Sequence, residues 1–232
     1  MRTLKRHWAR CAAAAALGAA LVLAGPGVME RVRCRVVFYN PADYVRAPAP
    51  TQQNTLLVNA QNPLPEDYRP RELIELFGAR RTFEIASADI ALESYVLEAA
   101  NQLFARAAAQ GVAGFVVTSG YRTREQQRAL YESDGEGLAA PPGASEHETG
   151  LAMDVTARSG QTPFEDSVQY EFLLRNCWEF GFIPRYPDGA QEITGVPFEP
   201  WHFRYVGRAA ALEMQRNHWT LEEYAQRRES HA

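Results

Sequence analysis

Residues 145–156 read Ser-Glu-His-Glu-Thr-Gly-Leu-Ala-Met-Asp-Val-Thr. After Gly150, the bulky Leu151, Met153 and Val155 alternate with Ala152, Asp154 and Thr156, which is the period of a strand. A second alternation covers 201–206, where Trp201, Phe203 and Tyr205 fall on one face and His202, Arg204 and Val206 on the other. If the two strands are neighbours, Asp154 and His202 converge on one side of a sheet. His147 joins them from the loop before Gly150.

The flanking segments supply helices for such a sheet. A helix is predicted from about Ile90 to Gln110, with Leu92, Val96, Leu103 and Phe104 as its apolar stripe and Gly111 at its C-terminal end. Gly114–Thr118 reads as a short buried strand. Ser119-Gly120-Tyr121-Arg122 turns out of it into a polar helix at about 124–132, and the glycines and prolines of 134–146 make a loop. Thr162-Pro163-Phe164-Glu165 has the form of a capping box opening a helix that runs to Phe180 and stops at Gly181. Two short helices close the chain, the second begun by the box Thr220-Leu221-Glu222-Glu223. The class is α+β: a small antiparallel sheet flanked by helices, as one domain over 57–232.

The N-terminus has another character. Arg2, Lys5, Arg6 and Arg10 precede an almost wholly apolar run from Cys11 to Met29, the pattern of a signal peptide or signal anchor over 1–29. An uncleaved anchor is favoured, with the remaining chain exported, because the run is close to the ~20 residues that span a bilayer. Cleavage would instead give a secreted or periplasmic domain. Residues 30–56, with Pro41, Pro48 and Pro50, read as a tether. Cys177 is expected to be a buried free thiol rather than a disulfide partner of Cys34.

Composition narrows the chemistry. The chain has 232 residues and a net charge of -4, so no basic face marks a nucleic-acid partner. Lys5 is its only lysine, which excludes Schiff-base lysines, P-loop lysines and a Ser-x-x-Lys nucleophile. Ser145 has no Gly-x-Ser-x-Gly elbow around it. His147-Glu148 does not begin a zincin helix, since position 151 is leucine. Taken singly, His147 reads as a loop histidine, His202 as a satisfied core histidine and Asp154 as a turn or capping group. Together they make two imidazoles and one carboxylate with room for a water, the donor set of a catalytic zinc. Glu199 lies three residues before His202 and can act as general base, while Arg122 is a fixed cation suited to a carboxylate or oxyanion. His218 reads as a helix-end residue.

The whole of 57–226 resembles the zinc D-alanyl-D-alanine carboxypeptidases of the VanY type, in peptidase family M15. The resemblance is carried by Asn62-Pro63-Leu64-Pro65-Glu66-Asp67-Tyr68, by Ser119–Thr123 with Gln127, by Ser145–Asp154 as Ser-x-His-x-x-Gly-x-Ala-x-Asp, by Gly181–Pro187 and by Glu199–Gly207. It implies Zn2+ on His147, Asp154 and His202, with Glu199 as base. It also implies Arg122, Gln127 and Ser145 as contacts to the substrate. The implied substrate is the peptidoglycan stem peptide, losing its terminal D-amino acid to a metal-activated water. A monomer is expected, with the membrane as partner only through the N-terminal segment. An L,D-carboxypeptidase, a D,D-dipeptidase and a non-catalytic cell-wall-binding module are the rivals. Where the family carries a lysine before Ile193-Thr194-Gly195, this chain has Ala190-Gln191-Glu192.

Overall fold

The structure is a computed structural model, and it describes residues 54–134, 139–158, 160 and 162–230. The expected leader, nearly all of the tether and Cys34 lie outside the described residues. No helix among the described residues is long and apolar enough to cross a membrane.

In chain order the elements are β1 (Leu73–Glu75), β2 (Glu84–Ile85), β3 (Ala91–Glu93), α1 (Ser94–Ala109), β4 (Phe115–Ser119), α2 (Arg124–Asp134), β5 (Ala152–Ala157), α3 (Val168–Asn176), β6 (Phe182–Tyr186), α4 (Gln191–Thr194), β7 (Glu199–Tyr205), α5 (Arg208–Asn217) and α6 (Leu221–Ser230). Five strands form one sheet in the order β2-β4-β5-β7-β6, and β1 pairs with β3 in a separate two-stranded ladder. The α+β class is as expected. The sheet is antiparallel except at its edge, where the two residues of β2 run parallel to β4.

The central pairing is β5 on β7, in a register that sets Asp154 opposite His202 and Ala152 opposite Arg204. Residues directly opposite in an antiparallel pair project to the same face. Met153, Val155, Phe203 and Tyr205 therefore project the other way, into a core completed by Val96, Leu103 and Phe104 of α1. Each such fully buried side chain stabilises the fold by about 1.5–3 kcal/mol. A second cluster of Ile183, Val206, Ala211, Met214, Leu221 and Tyr224 seats α5 and α6 on the end of the sheet.

Three local expectations are corrected. The helix expected from Ile90 begins at Ser94, because Ala91–Glu93 is drawn into β3 by Ile74 and by the carbonyl of Gly150, which accepts from Glu93 N. Glu93 then caps nothing: its buried carboxylate accepts from the backbone nitrogens of Arg71 and Glu72, at 2.5 and 3.0 Å. The helix expected over 162–180 is three pieces. A 3-10 turn at Phe164–Asp166 buries Phe164 against Tyr170, α3 starts after Ser167, whose hydroxyl accepts from Tyr170 N, and a second 3-10 turn covers Cys177–Phe180. The box at Thr162 is thus unused, whereas the one at Thr220 forms as expected, with Thr220 Oγ1 and Glu223 exchanging bonds to each other's backbone nitrogens. Strand β6 was not anticipated. Its Phe182 and Ile183 are buried against α1 and α5 partners, and Gly181 before it has φ 85°. Cys177 is a buried free thiol, as expected.

Candidate metal centre

The three side chains are delivered by three different devices. His147 sits in a 3-10 turn, Glu146–Thr149, that ends on Gly150 at φ 71°. A side chain at 150 would be strained in that conformation, and its Cβ would come within 3.0 Å of Leu73 and 3.2 Å of Glu93. The chain can therefore reverse from the turn into β5 only through glycine. Asp154 follows from β5, and His202 from the register of β7.

Potential ligand atoms of His147, Asp154 and His202 all lie within 4.8 Å of one another. His147 Nε2 is 3.3 Å from Asp154 Oδ1, and His202 Nδ1 is 3.0 Å from the same oxygen. The imidazoles stand edge to face, with centroids 4.9 Å apart. Each presents a different nitrogen to the centre and commits the other to an acceptor. His147 Nδ1 lies 2.6 Å from the carbonyl of Gly120, and His202 Nε2 lies 3.4 Å from Glu146 Oε2. A carbonyl can only accept, so His147 carries its proton on Nδ1 and leaves Nε2 free.

The electrostatics favour a cation at this point. Burial lowers the His147 pKa, although Asp154 pulls the other way. Burial opposes charge on His202 as well, but Asp154 and Glu146 together push it up to about 9. Burial would raise Asp154, yet His147 and His202 hold its carboxyl well below the usual range.

Glu199 Oε2 is 3.9 Å from His202 Nδ1, at the mouth of the cluster. Its pKa is raised, first by burial, with Asp154 and Glu146 adding to the effect against His202 and Arg122. Arg122 follows Gly120 and Tyr121, and its backbone nitrogen donates to the His147 carbonyl at 3.2 Å. Its Nε is buried and has no hydrogen-bond partner in the protein, and burial lowers its pKa against the pull of Asp154, Glu199 and Glu148. A groove of about 640 Å³ runs beside it, lined by Ala91, Ser119, Gly120, Tyr121, Arg122 and Thr123 among others. Ser145 is buried directly before Glu146. Gln127 is buried too. Its Nε2 donates to the carbonyl of Ala140 at 2.7 Å, while its Oε1 has no partner. His218 is apart from all of this, exposed at the end of α5 with φ 55°.

The sequence reading missed the ring of charge behind the histidines. Glu146, Arg185 and Arg204 are all fully buried. Arg185 Nε donates to Glu146 Oε1 at 2.6 Å, and its two terminal nitrogens clamp Glu222 of α6 at 2.9 and 2.6 Å. Arg204 Nη1 lies 2.8 Å from the same Glu146 oxygen, in ionic contact but too poorly aligned for a hydrogen bond. Its Nη2 donates to the carbonyls of Asn54 and Leu56, so the start of the described chain is tied to this ring. A signal for it existed: Arg204 shares with the ligand His202 the face of β7 opposite the aromatic core residues, and a buried arginine requires an acidic partner.

The sequence matches the family model described as VanY, D-alanyl-D-alanine carboxypeptidase, over residues 89–208. It is 32% identical over 176 residues to a D-alanyl-D-alanine carboxypeptidase of Enterococcus faecium, an alignment covering 75% of this chain and 57% of that protein. Among solved structures it is similar to the LD-carboxypeptidase LdcB, with a TM-score of 0.68 at 32% identity over 75% of this chain and 86% of the other. It is also similar to the vancomycin-resistance D,D-pentapeptidase VanY in complex with Zn(II), with a TM-score of 0.62 at 37% identity over 75% and 99% of the two chains. This chain belongs to the VanY family of D-alanyl-D-alanine carboxypeptidases.

Proposed function

We propose that the protein is a zinc-dependent D-alanyl-D-alanine carboxypeptidase that trims the terminal D-amino acid from peptidoglycan stem peptides. The observation that carries this reading is the convergence of His147 Nε2, Asp154 Oδ1 and His202 Nδ1 within 4.8 Å, with the carboxylate of Glu199 3.9 Å from His202 Nδ1. Two imidazoles, each with its outer nitrogen committed to an acceptor, plus one carboxylate are a donor set that fits zinc. His147, Asp154 and His202 would hold it; when bound, zinc supplies a Lewis acid that polarises the scissile carbonyl and acidifies a water.

The chain's own groups do the remainder. Glu199, whose raised pKa brings it closer to neutrality than an ordinary carboxylate, takes the proton of the attacking water and returns it to the leaving amine. Arg122, on the lining of the groove, offers its guanidinium to the developing oxyanion or the terminal carboxylate. A preorganised donor shielded from bulk water is worth more than one in water, because nothing must reorganise as charge develops. Ser145 and Gln127, both implied by the family resemblance, border the substrate on this reading. The apolar run behind Arg2, Lys5, Arg6 and Arg10 would hold the domain on the cell-wall side of the membrane, where its substrate is.

The test is a product assay with purified, zinc-loaded protein on a stem pentapeptide, a stem tetrapeptide and free D-Ala-D-Ala. Release of D-Ala from the pentapeptide alone is expected. The likeness to an LD-carboxypeptidase gives the tetrapeptide a definite place in the assay: cleavage only there would make the protein an L,D-enzyme. No release from any of the three, with zinc bound, would overturn the reading.

A further inference from the structure

Behind His202 stands a fully buried carboxylate whose two oxygens have different duties. Glu146 Oε1 faces Arg185 Nε at 2.6 Å and Arg204 Nη1 at 2.8 Å. Glu146 Oε2 faces His202 Nε2 at 3.4 Å. On the far side of the same imidazole, Nδ1 faces Asp154 at 3.0 Å and Glu199 at 3.9 Å. Imidazole has two tautomers, and only the one protonated at Nε2 leaves a lone pair at Nδ1, where the other two donors point. His147 settles the same choice with a backbone carbonyl. His202 has no carbonyl there; it has Glu146.

We infer that Glu146 is a positioning residue that fixes His202 in the Nε2–H tautomer and so sets its Nδ1 as a metal ligand, with Arg185 and Arg204 holding the carboxylate in place. The inference rests on the zinc reading above but concerns a residue that contacts neither metal nor substrate. The two arginines are required because a carboxylate with no exposure is costly to bury without matching charge. The four ionised groups Glu146, Glu222, Arg185 and Arg204 balance, so the ring adds no net charge behind the metal. Through Glu222 the ring also fastens α6, and through Arg204 it fastens Asn54 and Leu56.

Glu146→Gln tests this sharply. Both arginines compete for the single amide oxygen, which turns the amide NH2 toward His202. The ring must then accept at Nε2 and carry its proton on Nδ1, the wrong nitrogen for the metal. The control is Glu222→Gln, which loosens the same ring at Arg185 but leaves the Glu146–His202 contact intact. Zinc dissociation constants of the full chain, measured by competition with a chromophoric chelator, are expected to rise ~10–100-fold in Glu146→Gln and to stay within about threefold of wild type in Glu222→Gln. Unchanged zinc affinity in a folded Glu146→Gln protein, or equal weakening in the two variants, would overturn the inference. If Glu146→Gln does not fold, imidazole 15N NMR of the zinc-loaded wild type decides: a proton on His202 Nε2 is expected, and a metal on Nε2 refutes it. A wild type that binds no zinc would instead sink the reading on which the inference rests.

Discussion

Gly120 offers a test that separates the architecture of the site from its chemistry. It lies between β4 and the turn that carries Arg122, and its carbonyl accepts from His147 Nδ1 at 2.6 Å. A Cβ added at this position would stand 2.4 Å from the Ala91 carbonyl oxygen, 3.0 Å from Ile90 Cγ2 and 3.3 Å from Ala91 C. The nearest obstacle is backbone within the β1–β3 ladder and cannot rotate away. Ordinary contact begins at 3.4 Å, so the turn must withdraw by about 1 Å. That withdrawal stretches the bond from Tyr121 N to the same Ala91 oxygen, now 2.7 Å. Overpacking of this kind costs about 1–3 kcal/mol and the lost hydrogen bond about 1 more. In a domain of this size each kcal/mol is worth roughly 2–4 °C, so Gly120→Ala should melt about 4–16 °C lower. The carbonyl moves with the turn, and a displaced outer partner of a metal histidine weakens metal binding ~10–100-fold. Differential scanning fluorimetry and zinc competition read the two effects separately. Gly78→Ala is the control, because a Cβ there meets nothing within 4 Å. If Gly120→Ala melts with the wild type and binds zinc as tightly, the close approach and its link to His147 are both refuted.

Glu199→Gln should keep zinc and lose ~10²–10⁴-fold in kcat, the usual share of a general base, and a variant with full turnover would remove Glu199 from that role. Because burial raises the Glu199 pKa and the base works deprotonated, kcat/KM should fall as pH drops through a value above that of an ordinary glutamate; the Gln variant should lack that acid limb. His147→Ala should abolish stoichiometric zinc, whereas His218→Ala should leave it untouched; the opposite pattern in metal analysis would overturn the site. Cys177 is wholly buried and its thiol is pushed far up by that burial, so a thiol reagent should label it only on unfolding, and prompt reaction in the native protein would contradict the packing.

The parts of the fold that the sequence revealed are those governed by local pattern. The alternation at 151–156 and 201–206 placed Asp154 and His202 on shared faces, and the pairing of β5 with β7 then needed only one register to bring them together. Thr220 capped α6 because both partners of its box lie only three residues apart in sequence. The failures are all cases in which distant groups decided. Leu92 fits a helical stripe, yet β1 and the Gly150 carbonyl claim its segment as a strand. Thr162 has the chemistry of a cap, but Phe164 buries itself in the core and Ser167 offers a cap three residues later. Glu146 stood inside the most informative motif and was overlooked, because its partners Arg185, Arg204 and Glu222 come from three other elements.

That contrast bears on how the site is built. A metal triad needs its ligands within a few ångströms, which adjacent strands and a tight turn achieve by backbone register alone. Register does not choose which nitrogen of an imidazole faces inward, since a ring can bind through either. The choice requires an acceptor behind each ring, and the chain supplies two of unlike cost. Gly120 provides a carbonyl freed by a turn that only glycine permits. Behind His202 the acceptor is instead a side chain, Glu146, and a carboxylate with no exposure in turn demands arginines. The lysine-poor composition is consistent with this. Arginine keeps its charge when buried and can divide its donors between two carboxylates, as Arg185 does between Glu146 and Glu222. A lysine at 185 would offer one nitrogen where the ring uses three, so Glu146 and Glu222 could not both be held in their present positions.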